Sequence, residues 1–578
     1  MTAQTGTARA EFACGLIALA GGVMVGLVGC TTNPFAEAPG DKDIVASEDR
    51  LRRIGTLRLD RLDIDAAGTP EEQIEQARNR YAGRDKVEVT IDEIRMEAFE
   101  HNLGLRSTLV DPVIAAERVS QEEGAFDTLF TLDATWFNGD DATASALDNG
   151  QSESQSLTPG VTVPLRTGGE ISLSTPLTRF ETDNSFSTLN PAYTADLELS
   201  LSHNLLRGAG RKAATHGIRL AEYDRQISEA QAKLEVIRTL ADVDRAYWRL
   251  FASIRALEVE EQQYKVAVEQ LERAQRRERA GSGAEIDVVR AQSGVADRVE
   301  QIIRAQNDVT LLERELKLLV NAPGLEVGSE TGLVPASDPE PVLYRFDAER
   351  LVEAAVENRM DLLEVELRLA RDAAQIAFDR NQTLPLLALQ YTYRVNGLDD
   401  SIGDAAQVTA QGRFEDWSVG VQAQLPLSNR AREATLAQSI LARLQRLATR
   451  DAREEQIEKE VRDAVDQLSS TWQRIMASRQ AVVLNARALD AERRQFDVGR
   501  STSTDVLDAD TNLADARLAE IRAVVEYQIA QIDLAVATGT LMGQAGVDWA
   551  PRDPRGGTSR EEQEPRRYDP LSGAFGRD

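Results

Sequence analysis

Apolar residues recur along this chain at three- and four-residue intervals, and the same series appears twice. Each rung in the first half has a partner 218 positions later, and the first three pairs are Val243 and Val461, Tyr247 and Val465, Leu250 and Leu468. Gly281 and Asp287 reappear as Gly499 and Asp505 at the same offset of 218. A shared ladder of this length predicts two copies of one long, helix-rich hairpin.

Proline is absent from residues 192–322 and 427–550. Because proline breaks helix interiors, these stretches can hold very long helices. The first is predicted from about Lys212 to Arg279, about 68 residues or roughly 100 Å. Gly281 and Gly499 mark the hairpin tips, and the returning helices are expected to begin near Asp287 and Asp505, where cap chemistry belongs.

Between the leading helix and the long helix of each half, the pattern changes to the period of two that is typical of strands. Four strand segments are predicted, near 126–137, 193–202, 386–395 and 416–425. The loop 138–192 is long and carries its own hairpin signal around Gly168 and Gly169. Trp136 and Trp417 belong either to an aromatic girdle at a membrane surface or to a packed core. The fold class is therefore mainly α with a small β part.

The chain divides into six segments by composition and periodicity. They are a signal peptide (1–29), an N-terminal tether (30–88), a first repeat (89–325), a linker (326–345), a second repeat (346–543) and a disordered tail (551–578).

Composition narrows the function. The net charge of −29 excludes a nucleic-acid partner that is bound through basic patches. The glycines from Arg207 to Lys212 lack phosphate-loop spacing and indicate a bend. The three histidines share no metal-ligand spacing, so no metal, cofactor or catalytic site is predicted, and the chain is not expected to be an enzyme.

The start of the chain is typical of a targeting segment. An apolar run from Ala13 to Val28 ends in Leu27-Val28-Gly29-Cys30, which resembles a bacterial lipobox. Cys30 is then the acylated first residue of the mature protein, and Thr31 favours delivery to the outer membrane. An ordinary cleaved signal or a single anchor helix is the alternative.

Two further features carry a family likeness. Phe496-Asp497-Val498-Gly499 is followed by Asp505-Val506-Leu507-Asp508-Ala509, and each second strand runs into its long helix, as at Leu201–Gly208. In both respects each half resembles one repeat of the TolC-like outer-membrane efflux proteins, over about residues 90–543. Ser501 departs from the family, because a basic residue is usual two positions after the tip glycine.

The resemblance implies a homotrimer in which four strands per chain join a 12-stranded outer-membrane β-barrel, continued by a periplasmic α-barrel of coiled-coil hairpins. Four strands cannot close a barrel alone, which independently favours an oligomer. The implied partners are outer-membrane lipid, a periplasmic adaptor protein and an inner-membrane pump. The implied function is passive export in a tripartite efflux or type I secretion system. A non-conducting coiled-coil spacer lipoprotein of the envelope is the alternative.

Asp505 and Asp508 match the family's periplasmic aperture acids. Three positions apart on a helix, they share a face. The alternative is a helix cap and a solvated charge. Arg290 stands at the repeat position of Asp508, near Asp287, and either pairs with a neighbouring hairpin as a latch or is a surface arginine.

Overall fold

A computed structural model describes residues 83–143, 149–281, 283–498 and 500–547, together with 72, 75, 76, 79, 81, 549 and 550. All of them belong to one unit of the chain, and only that unit is described. The signal peptide, Cys30, Gly499 and the predicted disordered tail lie outside the described residues. No helix within the described ranges is both long enough and apolar enough to cross a membrane.

Helices dominate the first half of the chain. They are α1 (Ile91–His101), α2 (Leu103–Thr108), α3 (Asp111–Glu123), α4 (Arg211–Ala214), α5 (His216–Arg279) and α6 (Glu285–Val320). α5 has 64 residues, about 96 Å at 1.5 Å per residue, and it ends at the predicted residue Arg279. The predicted long helical hairpin is confirmed.

The second half repeats this plan. Its helices are α7 (Ala348–Asn358), α8 (Met360–Gln382), α9 (Ile402–Ala410), α10 (Arg430–Asp497), α11 (Ser503–Ala537) and α12 (Leu541–Gln544). α10 ends at Asp497 and α5 at Arg279, which are 218 positions apart. α11 and α6 begin at the same offset, so the sequence repeat is a repeat of structure.

Nine of the strands within the described ranges form one sheet, and a parallel pair forms another. The pair is β1 (Lys86–Val89) with β8 (Gly332–Pro335). The large sheet contains β2 (Leu129–Asp140), β3 (Gln151–Leu165), β4 (Gly169–Ser174), β5 (Leu177–Thr182), β6 (Ala192–Ala195), β7 (Leu197–Asn204), β9 (Leu386–Val395), β10 (Leu398–Asp399) and β11 (Glu415–Gln424). Its order is β10-β6-β5-β3-β4-β7-β9-β11, and β2 also pairs with β3.

The four predicted strand segments are all present, as β2, β6 with β7, β9 and β11. The sheet also holds β3, β4, β5 and β10, so the expectation of four strands per chain is corrected upward. The region 138–192 was predicted as a loop with its own hairpin, and that hairpin is β3–β4, paired into the sheet itself. β1 likewise gives structure to the end of the segment that was predicted as a tether.

The core lies where the leading helices and the β1–β8 pair pack on the middle of α5. Tyr247 is buried there, and its hydroxyl donates to the Val89 carbonyl at 3.1 Å and accepts from the Ser337 N–H at 3.0 Å. Arg95 of α1 donates two hydrogen bonds to the Asp244 carboxylate of α5, at 2.7 and 2.8 Å. These contacts fix the long helix to the short elements at its side.

Candidate functional site

The sheet has two chemically different faces, and its register aligns them across six strands. One row of directly paired residues is Phe130, Val161, Leu173, Leu199, Tyr393 and Trp417, taken in the order β2-β3-β4-β7-β9-β11. The next row towards the helices on the same face is Val163, Ile171, Leu201, Tyr391 and Val419. Both rows are apolar throughout apart from the tyrosine hydroxyls.

The row between them is polar on five strands. It contains Thr162, Ser172, Ser200, Thr392 and Ser418, while its member on β2 is Leu129, and the hydroxyls of Ser172 and Ser200 share a hydrogen bond of 2.6 Å. Glu198 and Arg394 form an ion pair in the next polar row, which lies further from the helices. Alternation between an apolar and a polar face is the pattern of a sheet with lipid on one side and water on the other.

The exposure of two tryptophans decides between an aromatic girdle and core packing, the two interpretations that the sequence left open. Trp136 is 71% exposed and Trp417 70% exposed, on the apolar side of the sheet. Core packing is therefore excluded for both within this chain. Their position fits an interfacial girdle, in which an aromatic ring meets lipid and its N–H meets water.

At the opposite end of the long helices, each hairpin turns within a few residues. The first turn runs from Ala280, after α5, to Ala284, before α6. Gly281 has a φ of 69°, a left-handed conformation that favours glycine, which explains the tip glycine predicted there. Val288 is buried behind this turn, and Val506 is buried at the corresponding position behind the other.

Asp505 takes part in the cap of α11. Thr502 is the N-cap residue, and its N–H donates to the Asp505 carboxylate at 2.8 Å, while the Asp505 N–H donates to the Thr502 hydroxyl at 3.3 Å. The hydrogen bonds from Thr502 lower the pKa of the exposed Asp505. The cap residue is therefore Thr502, three positions before Asp505, and the Asp505 side chain completes a capping box.

Asp508 lies one turn further along α11 and is exposed, as are Asp287 and Arg290 of α6. Asp287 and Arg290 line a small cleft of about 60 Å³ whose other wall includes Thr504 and Leu507. The structure thus brings the two hairpin ends together within one chain. Among the described residues, Arg290 makes no ion pair within 4.0 Å, and the same holds for Asp508.

Sequence reasoning missed an arginine-rich cleft between the two hairpins. It has a volume of about 640 Å³ and includes Arg273, Arg276, Arg277 and Arg493. The Arg277 guanidinium lies 4.4 Å from the centre of the Phe496 ring, a cation–π contact that joins the hairpins. The run of arginines before Gly281 is visible in the sequence, but the sequence does not predict that Arg493 and Phe496 of α10 lie opposite it.

A buried acid behind the tips was also missed. Asp510 of α11 is 4% exposed and lies 3.6 Å from Arg493. Burial raises the pKa of Asp510, and the charge of Arg493 acts against that rise. Its repeat position, Gln292, is neutral, so the repeat gives no signal for it.

Comparison with known proteins identifies the family to which this chain belongs. A model of the outer membrane efflux protein family matches residues 170–322 and 351–540, more than half of the chain. The chain belongs to the outer membrane efflux protein family. It is similar to outer membrane protein TolC of Vibrio cholerae, with 27% identity over 316 residues, which cover 53% of this chain and 68% of that protein.

A second relative and a solved structure agree with this family. The alkaline protease secretion protein AprF of Pseudomonas aeruginosa is 25% identical over 324 residues, 54% of this chain and 64% of AprF. A solved membrane protein from Pseudomonas aeruginosa shares the fold with a TM-score of 0.59 and 19% identity, over 78% of this chain and 93% of that one. The protein is an outer-membrane duct for efflux or type I secretion.

Proposed function

We propose that three copies of this chain close into one duct that crosses the outer membrane and continues through the periplasm inside the helical hairpins. The observation that carries this proposal is the register-matched sheet, with apolar rows on one face and hydroxyls and charges on the other. Among the described strands, the outermost strands of these rows, β2 and β11, each have one edge without a partner strand. Lipid cannot satisfy the backbone groups of such an edge, so neighbouring copies are needed to cover them.

A periplasmic adaptor and an inner-membrane pump are the proposed partners, since passive transport needs an external source of energy. The arginine-rich cleft at the hairpin ends supports docking there, because four arginines and one acid, Glu269, line it in a chain of net charge −29. The name of AprF supports protein secretion as one use, and the family name supports efflux of smaller solutes.

The hairpin ends are the proposed aperture. In a trimer, Asp508 of three chains would meet near the axis, where crowded carboxylates favour a bound cation. Asp505 would contribute charge there and also hold the start of α11 through its capping box. Asp287 and Arg290 would lie beside this ring on the neighbouring hairpin end.

We expect Asp508→Asn to weaken block by trivalent cations about tenfold or more, because one carboxylate per chain leaves the ring. Asp505→Asn should weaken block as well, and it should also speed hydrogen exchange at the first turn of α11, because the carboxylate that accepts from the Thr502 N–H is lost from the capping box. Single-channel recording measures block, and mass-detected hydrogen exchange measures the cap. Asp515→Asn, two turns further along α11, is the matched control.

Unchanged block in the Asp508 variant would remove it from the aperture. Arg290→Ala separates two readings of Arg290 in the same recordings. A raised open fraction identifies Arg290 as part of a latch between chains. Conduction at the wild-type level leaves it a surface charge, worth about 0–1 kcal/mol in any exposed pair.

We further propose that Cys30 is the lipid-modified first residue of the mature protein, which would hold the N-terminus at the outer membrane. The motif Leu27-Val28-Gly29-Cys30 supports this. Intact-mass analysis of the purified N-terminal peptide should show a diacylglyceryl thioether and an N-acyl chain on Cys30. Cys30→Ser should abolish both modifications, and an unmodified N-terminus at another residue would contradict the proposal.

The spacer alternative is disfavoured by the same sheet. A protein that only sets the distance between envelope layers has no use for strands with a polar face opposite an apolar one. The deciding difference is conduction, which a spacer lacks.

A further inference from the structure

The two halves of the chain are not equal in length before their long helices. α1 and α7 each have 11 residues and begin 257 positions apart, at Ile91 and Ala348. β2 and β9 begin at the same offset of 257, at Leu129 and Leu386, but β7 and β11 begin only 218 positions apart, at Leu197 and Glu415. The first half therefore carries about 40 extra residues between β2 and β7.

Those extra residues include the hairpin β3–β4. By the repeat, β2 and β7 are the counterparts of β9 and β11, but β9 pairs directly with β11, whereas β3 and β4 lie between β2 and β7. Among the described residues between β9 and β11, only the short strand β10 and α9 are present, so the β3–β4 hairpin has no counterpart there. The family match begins at residue 170, so β2 and β3 lie outside the matched residues.

The inserted hairpin continues the same wall. β3 pairs with β4 from Gly160 to Leu165, and β2 pairs with β3 so that Phe130 joins the apolar row of Val161 and Thr131 lies opposite Gly160. Val161 lies beside Leu173 in the row that leads to Leu199. Leu173 is 44% exposed and Leu199 39% exposed, so the apolar surface passes from a family strand into the strands next to it without a break.

The β3–β4 turn reaches as deep as the family strands do. The Thr167 carbonyl accepts from the Gly210 N–H at 2.9 Å, and the Gly168 carbonyl accepts from the Asn204 N–H at 2.9 Å. Gly168 has a φ of 96°, and a Cβ there would lie 2.2 Å from the Gly208 carbonyl oxygen. The turn is thus fitted against the loop that joins β7 to the helices, at the base of the sheet.

We propose that the inserted strands are part of the membrane wall, with lipid acyl chains as the partner of their apolar face. Each chain then gives six strands to the wall, β2, β3, β4, β7, β9 and β11. This rests on the proposed trimer, in which three chains of six strands close a sheet of 18 strands instead of 12. Since the diameter of a closed sheet grows roughly linearly with strand number, the outer-membrane section is about half as wide again.

Lipid contact can be measured strand by strand. Val161→Cys and Leu173→Cys test the two inserted strands on the apolar face, and Thr162→Cys and Ser172→Cys are the matched controls on the polar face. Leu199→Cys, on a family strand, is the positive control. Each is labelled with bimane in the full-length protein, reconstituted in vesicles with and without brominated phosphatidylcholine, and the unsubstituted protein supplies the background.

We expect brominated lipid to quench the labels at 161 and 173 as strongly as at 199, and the labels at 162 and 172 several-fold less. Quenching at 199 without quenching at 161 and 173 would overturn the six-strand wall while leaving the duct intact. No quenching at 199 would overturn the proposed function, and the six-strand wall with it. Native mass spectrometry of the same samples counts the chains, and any number other than three overturns the 18-strand closure.

Discussion

Leu201→Arg should abolish assembly in the outer membrane. Leu201 lies in the middle of β7, in a row with Ile171 and Tyr391 on the apolar face. An arginine that faces lipid costs about 2–4 kcal/mol at the bilayer midplane and less towards either interface. Every copy in the assembly carries that cost, so we expect the amount of heat-resistant oligomer in outer-membrane fractions to fall at least tenfold.

Ser202→Arg is the matched control, one residue further along the same strand. Its side chain faces the other way, in a row with Glu170 and Gln390, where the new guanidinium has a carboxylate and water nearby. Oligomer should form at the wild-type level. Equal loss in both variants, or equal tolerance of both, would show that the two faces are not lipid and water.

Arg95→Ala should destabilise the middle of the molecule. The Asp244 side chain is fully buried, and Arg95 supplies its only ion pair within 4.0 Å among the described residues. Removal of one partner leaves an uncompensated buried charge, which costs about 3–5 kcal/mol. Amide hydrogen exchange of α1 and of the facing turns of α5 should speed up by two orders of magnitude or more.

Acid should rescue that variant. Burial raises the pKa of Asp244, and the hydrogen bonds from Arg95 hold that rise back. Without Arg95 the folded-state pKa rises further above the unfolded value, so the destabilisation is largest at high pH and shrinks as the carboxyl becomes protonated. Addition of Asp244→Asn to Arg95→Ala should give pH-independent partial recovery. A defect that is the same at pH 5 and pH 8 would assign it to lost packing.

The long helices were predictable because their signals are local and repeated. The three- and four-residue spacing, the absence of proline and the tip glycine are each read within a few residues, and they placed the end of α5 at Arg279. The four strand segments were found for the same reason, since alternation is visible within one strand.

Strand order was not predictable, because it depends on pairing between distant residues. β3 and β4 were recognised as a hairpin, but nothing in their own sequence states that β7 is the neighbour of β4 or β2 of β3. The role of Asp505 shows a similar limit. Its position three residues after Thr502 fits both an aperture acid and a capping box, and the structure shows the box.

The burial of individual acids at the hairpin ends was also not predictable from the sequence. Asp510 follows Asp508 by two residues in the sequence, yet one is buried against Arg493 and the other is exposed. Which of two nearby acids faces another helix depends on how the hairpins pack together, and the spacing along one helix does not contain that information.

Ion conduction by the purified, unsubstituted protein in a planar lipid bilayer tests the central claim most directly. The protein should insert as discrete channels, and trivalent cations should block them from the side that the hairpin ends face and far less from the other side. The contradicting result is insertion of the intact oligomer into the bilayer without any conductance steps. It would rule out the duct and leave the envelope spacer as the function.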